Sequence, residues 1–289
     1  MADADDTRTG EMLGGRYKVG ALVGKGGHGE VYRARDTVDG REVAVKFLAA
    51  HLAQDNDYRV RLAREARAMS SLNGVGTLEV MGILGAEDGT PCLVMELLEG
   101  CDLAEAIASR NRLRVRFNLD EVVTLFSKVV STLEAVHALG ITHRDLKPSN
   151  IYLVGRKMHD PRIMDFGLAK VSDMQQITAD RMLAGSPSYV APEIWMRGAR
   201  NADHRADVYS LAVVIFETLT GDVPIHRKNL GEMLMAVTRP GNIPSLQKIR
   251  QDLPADIDDW SKQAFAIKPE ERFQSVVGMW RAFRAIVGK

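Results

Sequence analysis

Residues 143–150 read HRDLKPSN. This stretch follows a segment with a helical period and places an acid, a base and an amide within a few positions: Asp145, Lys147 and Asn150. Pro148 has no backbone N–H and excludes a continued helix, so the stretch is predicted to be a loop. A loop that gathers charged and amide groups in this way is expected to be functional.

A second acidic turn follows this loop. Residues 165–167 read DFG, and the preceding segment 162–164 is predicted to be a short strand that delivers Asp165 to a cleft. Alone, the tripeptide is only a turn. Together with Asn150, however, Asp165 offers hard oxygen ligands of the kind that Mg²⁺ favours when it also keeps water and phosphate oxygens. The two stretches together therefore favour phosphoryl transfer.

A glycine-rich segment lies near the start of the chain. Residues 24–31 read GKGGHGEV, and Gly24, Gly26 and Gly29 have the spacing G-x-G-x-x-G. The spacing by itself is a weak signal, because glycines that only supply positive φ to a hairpin would give the same pattern. A dinucleotide fingerprint would need a helix next. Residues 30–34 are strand-like instead, which favours a hairpin lid over phosphates.

A strand lysine and a helix glutamate form a candidate ion pair. Residues 43–48 alternate so that Lys46 lies beside Ala44 on a mostly apolar face. Glu65 lies in the inward stripe of a helix predicted near residues 57–72. A buried unpaired charge costs several kcal/mol, and Lys46 is the obvious partner. The pattern alone leaves a glutamate that reaches solvent as an equal alternative.

The ordered set GxGxxGxV, VAVK, a helix glutamate, HRDLKPSN, DFG and APE resembles the protein-kinase signature, and most of all that of the eukaryote-like serine/threonine kinases of bacteria. The resemblance covers roughly residues 16–285. It implies an α+β protein-kinase fold with two lobes. The N-lobe would be small, with an antiparallel sheet and a regulatory helix, and the C-lobe larger and mainly helical. Strand-like segments before residue 101 and helical periods after it agree with this order.

The resemblance also implies an activity, which is in-line transfer of phosphate from ATP to serine or threonine hydroxyls of a protein. Asp145 is expected to accept the proton of the substrate hydroxyl, and Lys147 to steady the γ-phosphate. Lys46, fixed by Glu65, is expected to contact the α and β phosphates. The two oxygen ligands named above would hold Mg²⁺, or Mn²⁺ in its place.

The nucleotide is expected to lie under the glycine-rich loop, with its adenine between apolar side chains and against the backbone of a hinge. The expected contacts are Val23, Gly24, Lys25, Gly26, Gly27, His28, Gly29, Val31, Ala44, Lys46, Met95, Glu96, Leu98, Asp102 and Tyr152. Asp102 is expected to meet the ribose or a substrate. Tyr152 departs from the aliphatic residue that is usual at its position, and a core aromatic is its alternative role.

Four residues are expected to have structural roles. Glu193 of the APE segment and Arg272 match a pair that ties the activation segment to the lower lobe. Asp207 opens an apolar helix, so it is expected to be either the N-cap of that helix or the anchor of the 143–150 loop. His143 is expected to pack between other side chains rather than to act as a base.

Regulation by phosphate is the expectation at Arg144, since an arginine at this position can pair with a phosphate on the activation loop. Thr178 is the preferred phosphosite and Ser172 the second, both in a long stretch without a sustained period. Autophosphorylation between two copies would use a homodimer.

Composition limits the partners and the compartment. Lys plus Arg and Asp plus Glu are 38 each, so no overall charge invites nucleic acid or a membrane surface. Cys92 and Cys101 are too few for a disulfide framework, and no signal-peptide pattern is present. A cytoplasmic location is expected for this segment, and a membrane anchor outside it stays open.

The expected domains are a flexible tail at 1–15, an N-lobe with its hinge at 16–100 and a C-lobe at 101–289. Two alternatives to the kinase activity stay open. One is a pseudokinase that binds nucleotide as a scaffold. The other is a small-molecule kinase on the same fold.

Overall fold

The computed structural model describes residues 8–27, 29–54, 60, 76–165, 187–198, 202–227 and 229–289. They belong to two compact units, Met1–Glu99 and Gly100–Lys289. A sheet dominates the first unit and helices dominate the second. The predicted α+β architecture is therefore confirmed. The division between the units falls one residue before the expected lobe boundary.

The first unit is built on a six-stranded sheet in the order β1-β2-β3-β4-β6-β5, with every neighbouring pair antiparallel. Alternation along β4 explains its core, since Val43, Val45 and Phe47 point to one face and are buried there. The Phe47 ring packs edge-on against Tyr32 of β3. The elements are β1 (Met12–Leu13), β2 (Tyr17–Gly26), β3 (Gly29–Asp36), β4 (Glu42–Leu48), helix α1 (Ala50–Ala53), β5 (Val80–Gly85) and β6 (Pro91–Glu96). The helix predicted near 57–72 lies almost entirely outside the described residues.

The expected tail at 1–15 is wrong for residues 8–15. Leu13 in β1 is 1% exposed and belongs to the core of the sheet. The Arg8 guanidinium donates to Asp88, 80 positions away, at 2.7 Å. A two-residue strand has no period, and a partner so distant in sequence leaves no local signal, so sequence reasoning missed both.

The second unit packs its helices around α5, which is buried along nearly its whole length. A capping box starts α3, where Asn118 and Glu121 each accept a backbone N–H of the other. The helices are α2 (Leu103–Arg112), α3 (Leu119–Ala138), α4 (Pro192–Arg197), α5 (Arg205–Thr220), α6 (Leu230–Val237), α7 (Leu246–Ile249), α8 (Ile257–Ala264) and α9 (Val276–Val287). None of the helices in the described part of the chain combines the length and apolar character of a membrane span.

A small antiparallel sheet places the functional loops next to each other. Its strands are β7 (Gly100–Asp102), β8 (Ile151–Val154) and β9 (Pro161–Ile163), in the order β7-β8-β9. Ile151 lies opposite Ile163, and the N–H of Met164 donates to the carbonyl of Asn150 at 2.9 Å. The end of the 143–150 loop and the start of the DFG segment therefore meet at one end of this sheet.

Candidate active site

The 143–150 loop is held by the carboxylate of Asp207, which is fully buried in the first turn of α5. The backbone N–H groups of His143 and Arg144 donate to its two oxygens, at 2.7 and 2.8 Å. The Nε2 atom of His137 lies 2.8 Å from Asp207 Oδ2. Hydrogen bonds to a buried carboxylate are among the stronger ones, so Asp207 fixes the backbone just before Asp145.

Asp207 is not an N-cap. The helix begins at Arg205, its N-cap is His204, and no side chain caps it. Of the two roles expected for Asp207, the geometry matches the anchor of the loop.

Two residues at the site have left-handed backbone angles, with φ of 62° at Arg144 and 48° at Asp165. Such angles are unfavourable for residues other than glycine, and they persist where the surroundings hold them. At Arg144 the bond from its N–H to Asp207 supplies that restraint. The site thus holds strained backbone beside its reactive groups.

Two predicted functional side chains converge on the carboxylate of Asp145. Lys147 Nζ lies 3.2 Å from Asp145 Oδ2. The Nδ2 group of Asn150 donates to the carbonyl of Asp145 at 2.7 Å and lies 3.4 Å from its Oδ2. The arrangement presents a carboxylate beside a fixed cation, which suits a proton acceptor next to an anionic group.

The ring of His143 is buried and has a hydrogen-bond partner at each of its nitrogens. Its Nε2 lies 3.0 Å from the carbonyl of Met164, and its Nδ1 accepts the N–H of Asp145 at 3.3 Å. Burial lowers the pKa of the imidazole. A neutral ring with Nε2–H satisfies both contacts, so His143 connects the loop to the segment before Asp165.

Asn150 and Asp165, the expected metal ligands, fit a hard cation. Asn150 is buried and both of its side-chain hydrogen bonds use Nδ2, which leaves Oδ1 as the oxygen ligand. Asp165 is exposed. In the part of the chain that the structure describes, no cluster of three or more His, Cys, Asp or Glu residues could hold a metal. Two oxygen ligands suit Mg²⁺, which usually keeps water and substrate phosphates as its other ligands.

In the first unit, one face of the sheet is an apolar surface with a lysine in it. Lys46 lies opposite Val31 on one side and opposite Leu93 on the other. Ala44 and Met95 are paired across the strands and pack with Leu93. Lys46 itself is half-buried. This face can offer apolar surface to a flat ring and a cation to an anion. Val23, in β2, is mostly exposed.

The glycine-rich segment is the hairpin between β2 and β3, with Gly26 opposite Gly29. Gly29 has φ of 137°, and a Cβ there would lie 1.9 Å from the carbonyl oxygen of Phe47, so the fold requires this glycine. At Gly24, Gly26 and Gly27 a Cβ would meet nothing within 4 Å in the described residues. Those three glycines therefore leave open space that a ligand could occupy. Lys25 pairs with Glu30 at 2.8 Å, and His28 lies outside the described residues.

The expected hinge and its neighbours have structural partners. The N–H of Glu96 donates to the carbonyl of Glu79, and its carboxylate accepts the N–H of Glu79 at 2.9 Å. Asp102 caps α2 by accepting the N–H of Glu105 at 2.8 Å. One oxygen of Asp102 is thus already engaged, which weakens its expected ribose contact. Leu98 follows the end of β6.

Tyr152 lies opposite Asp102 in the small sheet and is half-buried. Burial raises the pKa of its hydroxyl. It is not in the buried core of the unit, which disfavours the core-aromatic alternative. Cys101, its neighbour in β7, is buried, and burial raises the pKa of the thiol. A buried protonated thiol is inert.

Glu193 and Arg272 form a bidentate ion pair at 2.8 and 2.6 Å. The guanidinium is buried, and it also donates to three backbone carbonyls. These acceptors belong to Ala266, Ile267 and Arg205. All five N–H groups of the arginine are therefore used. The pair fixes the APE segment to the second unit.

Sequence reasoning missed the contacts of Tyr189, which precedes the APE segment. Its hydroxyl donates to Glu217 at 2.5 Å, and its carbonyl accepts the hydroxyl of Ser210 at 2.7 Å. Burial raises the pKa of Glu217 and of the Tyr189 hydroxyl. The sequence signal that could have indicated these contacts is Glu217, an acidic residue within the apolar segment that forms α5.

Comparison with known proteins decides the family. The family model described as "Protein kinase domain" matches residues 17–277. The chain belongs to the protein kinase family. The resemblance read from the motifs is confirmed, and the kinase domain occupies nearly the whole chain.

Bacterial serine/threonine-protein kinases are similar to this kinase domain. PknH of Mycobacterium tuberculosis is 34% identical over 275 residues, which are 95% of this chain and 42% of the relative. PrkC of Bacillus subtilis is 31% identical over 270 residues, 93% of this chain and 40% of the relative. The crystal structure of the M. tuberculosis PknI kinase domain is 28% identical with a TM-score of 0.76, covering 97% of this chain and 99% of that one. The chain thus spans less than half the length of the two curated relatives.

Several expected site residues remain untested by geometry. Glu65 of the predicted ion pair lies outside the described residues, as do the candidate phosphosites Thr178 and Ser172. Their roles stay predictions.

Proposed function

We propose that this kinase domain transfers the γ-phosphoryl group of ATP in line to serine or threonine hydroxyls of a protein substrate. The observation that carries the proposal is the convergence of Lys147 and Asn150 on Asp145. The buried carboxylate of Asp207 fixes the backbone of the same loop. Phosphoryl transfer mainly requires positioning and charge stabilisation, and a loop held in this way supplies both.

Each side chain of the loop then has one task. Asp145 accepts the proton of the attacking hydroxyl, and Lys147 stabilises the transferred phosphate. Asn150 and Asp165 hold Mg²⁺ or Mn²⁺, which when bound would neutralise charge on the phosphates. The amide orientation of Asn150 supports this assignment, because its oxygen is left for a cation.

The nucleotide is proposed to use the apolar face of the first sheet and the glycine-rich hairpin. Ala44 and Met95 offer surface to the adenine, and Lys46 offers a cation to the α and β phosphates. The open space at Gly24 and Gly26 would let phosphates approach the backbone amides. Glu65 is proposed to orient Lys46.

Regulation is proposed to act through Arg144. Its Nε atom is buried and has no hydrogen-bond partner among the described residues. A phosphate on Thr178, or on Ser172, would provide a partner for this cation. Transfer of that phosphate between two copies of the domain would require a transient homodimer.

A cytoplasmic location is proposed for this domain. Its chemistry uses ATP, and neither of its cysteines, Cys92 and Cys101, forms a disulfide. Both thiols are buried, and burial raises their pKa values, so they are protected from oxidation.

Phosphate incorporation tests the activity. The purified protein, ATP and Mg²⁺ are incubated with a generic protein substrate, and the phosphorylated residues are mapped by mass spectrometry. Asp145→Asn is expected to lower turnover by roughly 10² to 10⁴ while ATP still binds. Asp120→Asn serves as the control, since its side chain is exposed on the same unit. Near-normal turnover in Asp145→Asn would refute its role, and ATP binding without any transfer would favour a pseudokinase.

A pair of glycine variants tests the nucleotide site separately. Gly24→Ala should leave the unfolding free energy near its original value, because the added Cβ meets open space, but should raise the KM for ATP. Gly29→Ala should lower the unfolding free energy, because its Cβ would clash with the backbone at Phe47. An unchanged KM for ATP in Gly24→Ala would remove this glycine from the nucleotide site.

Thr178→Ala tests the proposed regulation. Its expected result is lower activity together with loss of phosphate from that position in the mass spectrum. Ser172→Ala is the matched comparison. Unchanged activity in Thr178→Ala, with an unphosphorylated loop in the original protein, would contradict the assignment.

A further inference from the structure

The turn that ends α2 exposes a run of alternating arginine and aliphatic side chains. We call residues 112–116 the basic tip; they read RLRVR. All five are exposed, including the two aliphatic ones, with Leu113 at 70% and Val115 at 45%. Apolar side chains this exposed and this close together are a feature that the kinase chemistry does not explain.

The basic tip is held in a defined conformation. The N–H of Val115 donates to the carbonyl of Arg110, and the N–H of Arg114 to that of Asn111, both at 3.0 Å. With φ of 55° at Arg114, this is a Schellman motif. The side chain of Asn111 also donates to the carbonyl of Gly221 at 2.7 Å. The tip is therefore a hydrogen-bonded turn with a defined backbone conformation.

The motif departs from its usual form at two positions. Glycine normally occupies the left-handed position, but here Arg114 occupies it. This conformation is unfavourable for a residue with a Cβ atom. The residue at the position of Val115 usually packs on the last turn of the helix. Here the matching position in that turn is Arg110, whose guanidinium bonds Glu121 at 2.5 Å and lies over the Phe117 ring. Val115 is left half exposed instead.

The two acidic residues on α3 that closely follow the basic tip in sequence are engaged with other cations. Glu121 pairs with Arg110, and Asp120 pairs with Lys289 at 2.7 Å. Among the described residues, Arg112 and Arg114 form no ion pair. Arg116 donates to the amide oxygen of Asn111 and forms no ion pair among the described residues. The chain as a whole is neutral, so this local excess escapes any argument from composition.

A lipid surface fits the basic tip better than a protein does. A stable protein partner needs about 800 Å² on each side, drawn from some 20–30 residues. An interfacial contact needs only a few apolar side chains at the headgroup boundary and cations beside lipid phosphates, a role that suits the planar guanidinium. We propose that residues 112–116 dock on an anionic lipid surface, with Leu113 and Val115 entering its interfacial layer.

Vesicle co-sedimentation tests the proposal. The full chain is mixed at low salt with vesicles of phosphatidylcholine and phosphatidylglycerol in equal parts, or of phosphatidylcholine alone. Arg112→Gln with Arg114→Gly should lower partition onto the anionic vesicles about 25-fold, at about five-fold per arginine. The glycine suits the left-handed position, so the fold is retained. The control is Arg239→Gln with Arg281→Gln, which removes the same charge from exposed positions elsewhere on the unit.

The aliphatic side chains are tested without changing the charge. Leu113→Ser with Val115→Ser should also weaken partition onto anionic vesicles, by about ten-fold or more given the apolar area exposed. All variants should keep their far-UV circular dichroism and their kinase activity toward a soluble substrate. The outcome is thus separable from the proposed function.

Three results would overturn the proposal. The first is partition that falls equally in the tip variants and in the Arg239 and Arg281 control. The second is partition unaffected by the two serine substitutions, which would indicate charge attraction alone. The third is a protein that does not bind vesicles but binds polyglutamate, and that loses this binding in the arginine variants. This result would assign the tip to an acidic protein partner.

A fluorescent label gives an independent readout. Cys92 and Cys101 are buried, so Val115→Cys offers a selective site for an environment-sensitive dye. Its emission should shift to the blue on anionic vesicles and stay unchanged on neutral ones. A dye at Val38→Cys, an exposed position in the first unit, is the control. Equal shifts at both positions would contradict insertion of the tip.

Discussion

Substitution of Arg272 should be among the most destabilising single changes in the second unit. The side chain is fully buried, and each of its five N–H groups donates to an acceptor. Two of these bonds form the bidentate pair with Glu193. The guanidinium also lies over the ring of Tyr209, at 5.1 Å from its centroid.

The expected magnitude follows from what each substitution leaves behind. Removal of one partner from a buried ion pair costs about 3–5 kcal/mol, because the other charge stays buried. Arg272→Met leaves Glu193 in that state, and it also leaves three carbonyls without their donors. We therefore expect a loss of about 4 kcal/mol or more. Arg272→Lys keeps the charge but has at most three donors in place of five, so about 2–3 kcal/mol should be lost.

Urea unfolding followed by far-UV circular dichroism measures these losses. The double variant Glu193→Gln with Arg272→Met should be more stable than the sum of the two single losses predicts, by at least about 2 kcal/mol, because both charges are then absent. Lys262→Met is the control: its pair with Asp259 has side chains 76% and 78% exposed, so this substitution should change the unfolding free energy little. A loss within about 1 kcal/mol for Arg272→Met, or additive losses in the double variant, would refute the reasoning.

Two further predictions concern stability, and one concerns turnover. Leu13→Ala should lower the unfolding free energy by about 2–5 kcal/mol, because the side chain is in the core. Met12→Ala, at an exposed position, should change it little. Urea unfolding measures both. Asp207→Ala should lower kcat while ATP affinity, measured by calorimetry, is kept, because two buried N–H groups of the 143–150 loop lose their acceptor; equal kcat would contradict the anchor role. The unfolding free energy should fall as the pH is lowered from about 7 to about 5. Burial lowers the pKa of His143 in the folded protein, so the histidine of the unfolded chain is protonated at a higher pH than that of the folded chain, and protonation favours the unfolded state. The fall should be smaller in His143→Gln.

Local patterns were sufficient for the elements that carry the site. The alternation along 43–48 placed Lys46 on the correct face because strand periodicity is a property of neighbouring residues. Pro148 likewise marked the loop. The ends of these elements shifted by a few residues where hydrogen bonds continue past the pattern, as at the start of α5, which was expected at residue 207 and begins at Arg205.

Contacts between distant positions could not be read in the same way. The choice between cap and anchor for Asp207 depends on a loop 64 positions earlier, which no period in the sequence connects to it. The burial of Leu13 is hidden for a related reason: its strand has two residues, and the core cluster that buries it extends from nearby Tyr17 as far as Val94. Asp102 was expected at a ligand, but the free N–H of Glu105 in the first turn of α2 is a partner available without any ligand.

The polar residues of α5 give this helix a role beyond filling the core. Asp207 fixes the backbone of the 143–150 loop, and ten positions later Glu217 fixes Tyr189, just before the APE segment. Ten residues of helix span about 15 Å, and a buried helix has little freedom to bend. The loop that carries Asp145 and the segment that ends in Glu193 are therefore held at a distance set by one rigid element. A substitution that tilts α5 would displace the loop and the segment together. It should therefore lower turnover more than the loss of either the Asp207 contact or the Glu217 contact alone.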